Sequence, residues 1–289
     1  MSAEAQLSNV SLNKTLLTGA GGAILHDIDL AQGVDAATSH AIEQALLEHG
    51  VIFFRDQVLT REQHKAFGRL FGELHYHPAA PGPEEHPEIL IIHADEKSTF
   101  SAGQGWHSDV SCDAEPPMGS ILRLETVPET GGDTLFSNMY AAYEALSDRM
   151  KNMITGMSAI HSGKHVYRGR YNVAADQMVR EYPESEHPMV RTHPVTKKPA
   201  LFVNSGFTTH IVGMKPKESK AILEHLYQHI ALPDFQCRFK WAPNSMAFWD
   251  NRCMQHHAVF DYWPQVRHGE RVTIAGDKPF YDDASSAAN

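Results

Sequence analysis

The sequence predicts a mainly β fold with flanking helices, a sandwich or barrel, on three observations. From Gly119 onward short strand patterns recur between turn signals: Ser120–Leu124, Thr134–Phe136, Met189–Thr192, Ala200–Val203, Gln236–Lys240, Met246–Trp249, His256–Val259 and Arg271–Ile274. Helical periods at about Met139–Leu146, Asp148–Met157 and Pro216–Ile230 do not alternate one-for-one with those strands, which disfavours a doubly wound parallel sheet. The strongest apolar runs, Val51–Phe54 and Ile89–Ile92, are far shorter than the roughly 20 residues of a membrane helix.

The earlier elements follow in order. Ala36–His49 reads as a helix with Ile42, Ala45, Leu46 and Leu47 near one face, stopped by Gly50. Val51–Phe54 is a buried strand. Thr60 caps a second helix that carries Phe67, Leu70 and Phe71 to Gly72. Pro78 to Pro87 is loop. The polar stretch Ser162 to Glu186 has no period and reads equally as a lid or a surface insertion. Asp282–Asn289 is a small polar tail, expected to fray.

The 289 residues fit one domain spanning the chain, and the ordinary charged fraction of 21% excludes a disordered protein. A net charge of −10 with no basic run speaks against nucleic acid as partner, while leaving room for a local pocket that binds a small anion. Met1 to Lys14 has neither the basic start nor the apolar stretch of a secretory signal. Cys112, Cys237 and Cys253 are odd in number and lack zinc spacing, so reduced thiols and a cytoplasmic location are expected. The outlying feature is histidine: 19 of them.

His-x-Asp occurs twice, at His93-Ala94-Asp95 and His107-Ser108-Asp109. On an extended strand residues i and i+2 share a face, so such a pair can give one metal two ligands. Two imidazoles and a carboxylate on one side of an ion form the ligand set of non-haem Fe(II) oxygenases. In a histidine-rich chain either pair alone is weak evidence. The second pair stands in a longer pattern: Gly105-Trp106-His107-Ser108-Asp109, then Pro116-Pro117, Gly131-Gly132-Asp133-Thr134, Phe248-Trp249-Asp250-Asn251-Arg252 and Gln255-His256. Arg267 and Arg271 lie 11 and 15 residues beyond that histidine.

With these motifs the sequence resembles the taurine dioxygenase family of Fe(II)- and 2-oxoglutarate-dependent oxygenases, which includes aryloxyalkanoate and alkylsulfate dioxygenases. Ile52-Phe53-Phe54-Arg55-Asp56-Gln57, Phe71-Gly72-Glu73-Leu74-His75, Thr192-His193-Pro194-Val195, Leu201-Phe202-Val203-Asn204, Gly206-Phe207-Thr208-Thr209 and Gly276-Asp277-Lys278-Pro279-Phe280 extend it over nearly the whole chain. The resemblance implies a double-stranded β-helix (jelly-roll) core, and a homo-oligomer, since relatives commonly form dimers or tetramers. It also implies Fe(II) on His107, Asp109 and His256, with 2-oxoglutarate and O2 as co-substrates. His257 is the rival for the third ligand, but neighbours on a strand face opposite ways and the Gln-His pattern selects His256. His93 and Asp95 fall outside the pattern and read as structural. Arg267 is implied as the 2-oxoglutarate carboxylate arginine, with Thr134 as the hydroxyl sharing that carboxylate. Arg271, on the same strand face, is counted with them among the 2-oxoglutarate residues and is implied to reach toward the iron and the substrate anion as well.

The same comparison implies a small anionic organic substrate, sulfonate first, hydroxylated at carbon with C–S cleavage. His77, Arg271 and the backbone N–H of Val110 match the anion end, and Phe207 remains as an apolar wall. Taurine users carry a tyrosine at Ala80, an asparagine at Gly103, and serine and phenylalanine at Val166 and Tyr167. Losing those polar partners disfavours an ammonium and leaves room for a less polar tail. Three other readings stay open: an aryloxyalkanoate, alkyl sulfate or other carboxylate as substrate, a non-catalytic metal-binding jelly roll, and a hydrolytic zinc site.

Overall fold

Val51–Phe54 is apolar at every position because both of its faces are covered. In the computed structural model, which describes residues 10–80, 82–168 and 182–282, this strand lies inside a seven-stranded sheet. The sheet order is β1 (Lys14–Thr18), β2 (Gly21–Leu25), β3 (Val51–Phe54), β13 (Ser245–Asp250), β5 (Gly119–Thr126), β15 (Arg267–Ile274) and β4 (Ile89–Ala94). All of its pairings are antiparallel except β2 with β3. A three-stranded sheet, β12 (Gln236–Phe239), β6 (Thr134–Asn138) and β14 (Met254–Ala258), faces it. Two further sheets are separate from these: β11 (Thr208–Ile211), β7 (Ser158–Ser162) and β8 (Glu184–Pro188), and the pair β10 (Pro199–Leu201) and β9 (Val190–Thr192).

The two layers close on side chains of alternating position. Phe53 stacks on Phe239 at 3.9 Å and meets Phe136 edge-on at 5.6 Å, joining β3 to β12 and β6. Ile52, Phe54, Met246 and Phe248 point the other way, into a second core under helices α1 (Ala36–His49) and α2 (Arg61–Arg69). Asp35 and Thr60 accept backbone N–H bonds at the two helix starts, and Gly50 ends α1 at φ 72°. The remaining helices are α3 (Met139–Glu144), α4 (Asp148–Ile154), α5 (Lys164–Tyr167) and α6 (Pro216–Ile230). No described helix is long and apolar enough to cross a membrane.

Several expectations are corrected. The second helix ends at Arg69, before Leu70 and Gly72, and α4 ends at Ile154 because Gly156 adopts φ 77°. β14 starts two residues earlier than expected, and β15 starts at Arg267 rather than Arg271. Five strands went unforeseen: β1, β2, β7, β8 and β11. Most are short, mixed or polar (Lys14–Thr18 is largely exposed), so hydrophobic periodicity does not mark them. Residues 169–181 of the lid-or-insertion stretch and 283–289 of the tail lie outside the described residues.

Candidate active site

His107 and His256 are set side by side by an isolated bridge. The His107 N–H donates to the His256 carbonyl at 3.1 Å, and the His256 N–H to the His107 carbonyl at 2.9 Å. Their rings lie 4.1 Å apart. The His-x-Asp segment is not a strand, contrary to expectation: past Ser108 the chain turns, with Val110 at φ 47°. A buried β-branched residue there costs about 1–3 kcal/mol, strain of the kind that gathers at functional sites. The turn brings Asp109 Oδ1 to 3.7 Å from His107 Nε2 and 3.9 Å from His256 Nε2.

One donor atom from each of the three residues lies within 4.8 Å of the others. The Gly105 carbonyl, 2.9 Å from His107 Nδ1, fixes the proton there and leaves Nε2 with its lone pair. Burial drives both imidazoles toward the neutral form. Burial also pushes the Asp109 carboxyl up, but Arg271, the two histidines and the Ser120 hydroxyl outweigh it and hold it well below the usual range. Ser120 donates to Oδ2 at 2.7 Å and Arg271 Nη1 to Oδ1 at 2.5 Å. Neutral nitrogens and an ionised oxygen are the states a divalent ion requires, so this donor set fits one.

Arg267, 2% exposed, lines a cavity shared with these three donors. Its Nε donates to the Gly132 carbonyl at 3.2 Å and its Nη2 to Thr134 Oγ1 at 3.4 Å, while its guanidinium lies 5.6 Å above the Trp241 ring. No carboxylate among the described residues forms an ion pair with it, and burial lowers its pKa to about 10. Thr134 Oγ1 also accepts from Trp241 Nε1 at 3.0 Å, which leaves its own proton to donate. The pair is a cation and a hydroxyl waiting on a carboxylate.

His77 lines the cavity as well; its Nδ1 accepts the N–H groups of Ala79 and Ala80 at 3.2 and 3.0 Å, which places the ring proton on Nε2. Burial first, then Arg271, pushes the His77 pKa down to about 3. His77 is therefore a neutral donor rather than a cation. Arg271 on β15 projects to the same side as Arg267, and both line a cavity of about 250 Å³ that also takes in His77, His107, Asp109 and His256. Val110, Phe207, Tyr167 and Gly103 line it too. Among its described lining residues, Asp109 is the single carboxylate.

The model of the taurine catabolism dioxygenase TauD, TfdA family matches residues 13–273. The chain belongs to this family. It is 39% identical, over 90% of its length and 68% of the relative's, to a Schizosaccharomyces pombe protein provisionally named an alpha-ketoglutarate-dependent sulfonate dioxygenase. An alkylsulfatase of Acinetobacter baylyi is 35% identical over 90% of this chain and 84% of its own. The crystal structure of a taurine dioxygenase from Burkholderia xenovorans superposes with a TM-score of 0.82 at 37% identity, covering 95% of this chain and 94% of that one. The chain is thus a 2-oxoglutarate-dependent dioxygenase with a jelly-roll core, of a family that uses Fe(II), 2-oxoglutarate and O2.

In this dioxygenase most of the residues singled out in the sequence converge, with instructive exceptions. Ala80 is buried off the cavity lining and contributes its N–H to His77. His257 faces away, its ring 5.7 Å from Trp106. His93 and Asp95 lie outside the cavity lining. Gly103 stands in the left-handed region at φ 83°, which suits glycine or asparagine, and a Cβ there would meet His107 in ordinary van der Waals contact, 3.4 Å from Cε1. Gly206 packs so closely that a Cβ would meet His107 Cβ at 2.8 Å.

Trp241, Ser120 and Asn251 were not foreseen as supports. Asn251 Oδ1 accepts the Asp109 N–H at 3.2 Å and the Trp249 indole N–H at 2.9 Å, and its amide donates to Ser120 Oγ. Asn251 sits in a quoted motif that could have flagged it; Trp241 sits in none. Behind the wall, Asn204 ties the Phe207 N–H to Ser111, fixing one loop against the other.

Proposed function

We propose that this chain is, as one catalytic unit, a dioxygenase for small organic sulfonates that lack an ammonium group, longer or less polar than taurine. The carrying observation is the cavity's lining. It offers one arginine-hydroxyl pair, Arg267 with Thr134, for the 2-oxoglutarate carboxylate, and a second donor set, Arg271 with His77 Nε2, for another anion. It offers no described carboxylate beyond Asp109 to neutralise an ammonium. Burying an unpaired ammonium is unfavourable, so an apolar tail against Phe207, Tyr167 and Val166 is preferred.

His107, Asp109 and His256 would hold Fe(II), whose role is to activate O2 as 2-oxoglutarate is oxidised to succinate and CO2. The protein's own residues do the placing. Arg267 and Thr134 orient the distal carboxylate of 2-oxoglutarate, and Trp241 orients both of them. Arg271, His77 and the Val110 N–H hold the sulfonate, which sets one C–H of the neighbouring carbon toward the three donors. Tyr167 and Phe207 keep water from that side. A hydroxyl placed on the carbon that bears sulfur leaves an unstable product, which separates into an aldehyde and sulfite.

The A. baylyi relative named as an alkylsulfatase supports a second reading, the same chemistry on an alkyl sulfate, whose anion the same donors would hold. A cytoplasmic location is part of the proposal, supported by three buried free cysteines. So is a homo-oligomeric state, carried by the resemblance alone. The test is succinate release with Fe(II), ascorbate and 2-oxoglutarate across taurine, longer alkylsulfonates, alkyl sulfates and aryloxyalkanoates. Strongest stimulation by a longer alkylsulfonate is expected. Taurine as clearly the best substrate defeats the pocket argument.

A further inference from the structure

The other His-x-Asp motif, unused by the catalytic cavity, has a partner that the sequence does not disclose. β4 is the edge strand of the large sheet, and its register against β15 sets His93 directly across from His268. Both side chains stand on the outer face of the pair, opposite to the face from which Arg267 enters the cavity. Their Nδ1 atoms are 3.3 Å apart, and the His93 side chain is 46% exposed. Two nitrogens bound at about 2.0–2.1 Å to a tetrahedral Zn2+ lie roughly 3.3–3.4 Å apart. The same distance lets one ring donate an N–H···N hydrogen bond to the other while no ion is bound.

A second observation points the same way. Asp95 Oδ2 lies 3.6 Å from Nε2 of His93, the ring nitrogen not used in the pair. Asp95 is itself fixed, because its Oδ1 accepts the Lys97 N–H at 2.9 Å and the Ser98 hydroxyl at 3.1 Å. A carboxylate on the far side of a histidine is the usual support of a zinc-ligating imidazole: at 3.6 Å the Asp95 charge favours the tautomer with its proton on Nε2, which leaves the Nδ1 lone pair for an ion.

We infer that His93 and His268, with Asp95 behind His93, form a surface site for a borderline divalent ion such as Zn2+, two waters completing the tetrahedron. Imidazole nitrogens suit Zn2+ and leave hard Mg2+ or Ca2+ unattracted. With two protein ligands the site is a weak one that fills only when free Zn2+ is raised. It clips the edge strand β4 to β15 one residue beyond Arg267, so an ion there braces the strand that carries both cavity arginines.

The test is a calorimetric titration of the purified protein with Zn2+, repeated on His93→Asn, His268→Asn and Asp95→Asn. All three positions are at least partly exposed, and circular dichroism checks that each variant keeps its fold. His93→Asn and His268→Asn are each expected to bind one Zn2+ fewer than the parent. Asp95→Asn should keep the stoichiometry and bind that ion about tenfold more weakly, the scale seen when such a carboxylate is removed. Unchanged stoichiometry in either histidine variant overturns the site, and full affinity in Asp95→Asn overturns the role given to the carboxylate.

Discussion

Replacing Arg267 with methionine should move stability and co-substrate binding in opposite directions. The guanidinium is buried, has no carboxylate partner among the described residues, and has its pKa lowered by burial from 12.5 to about 10. At about 1.4 kcal/mol per unit, holding that charge costs the co-substrate-free protein about 3 kcal/mol. Methionine fills similar space over Trp241 and removes the cost, but it also forfeits the bonds to Gly132 and Thr134, worth about 1–2 kcal/mol together. The net is a gain of about 1–2 kcal/mol, a rise of a few degrees in Tm without 2-oxoglutarate. With 2-oxoglutarate present, losing one partner of a buried charge pair removes about 2–5 kcal/mol, raising KM for 2-oxoglutarate from about 30-fold to a few thousand-fold. Thermal scans with and without co-substrate, beside succinate kinetics, give both quantities. A Tm several degrees lower together with an unchanged KM would refute the reasoning: Arg267 would then be a structural residue.

Other consequences are measured as readily. Asp109→Ala should abolish Fe(II)-dependent turnover and lower stability by about 3–5 kcal/mol in thermal unfolding, because it strands the Arg271 guanidinium in a buried place. Trp241→Phe removes the indole donor to Thr134 and should raise KM for 2-oxoglutarate up to about tenfold with kcat nearly kept. Gly103→Asn, whose side chain tolerates the left-handed backbone, returns a polar group to the wall; kcat/KM for taurine relative to a longer alkylsulfonate should rise about tenfold or more. Burial lowers the pKa of His64 to about 4, so it binds its proton more readily when unfolded. Its contribution is complete above about pH 6.5 and is lost as pH falls toward 4, about 2 kcal/mol by pH 5; His64→Gln should flatten the fall of Tm over that range.

The parts of the molecule that sequence conveyed well are those where burial pattern and motif coincide. Val51–Phe54 and α1 were legible because both are held by large apolar faces with a clear stop, and Thr60 because its side chain and Gln63 cap α2 reciprocally. The donors His107, Asp109 and His256 were legible only through the motifs around them, since the local rule invoked for them, two residues on one strand face, is not how the chain brings them together. The turn at Val110 does that, and a valine with positive φ leaves no trace in composition. Ala80 shows the opposite failure: a position can match a pocket residue of relatives yet act here through its backbone. The cross-strand partner of His93 was invisible, because register between strands nearly two hundred residues apart is a tertiary fact.

The most direct test of the account is the ratio of sulfite to succinate released during turnover of a longer alkylsulfonate with Fe(II), 2-oxoglutarate and O2. Hydroxylation at the sulfur-bearing carbon predicts one sulfite per succinate, at a kcat/KM above that for taurine. Succinate without sulfite, or sulfite formed fastest from taurine, would contradict the placement of the substrate between Arg271, His77 and the three donors.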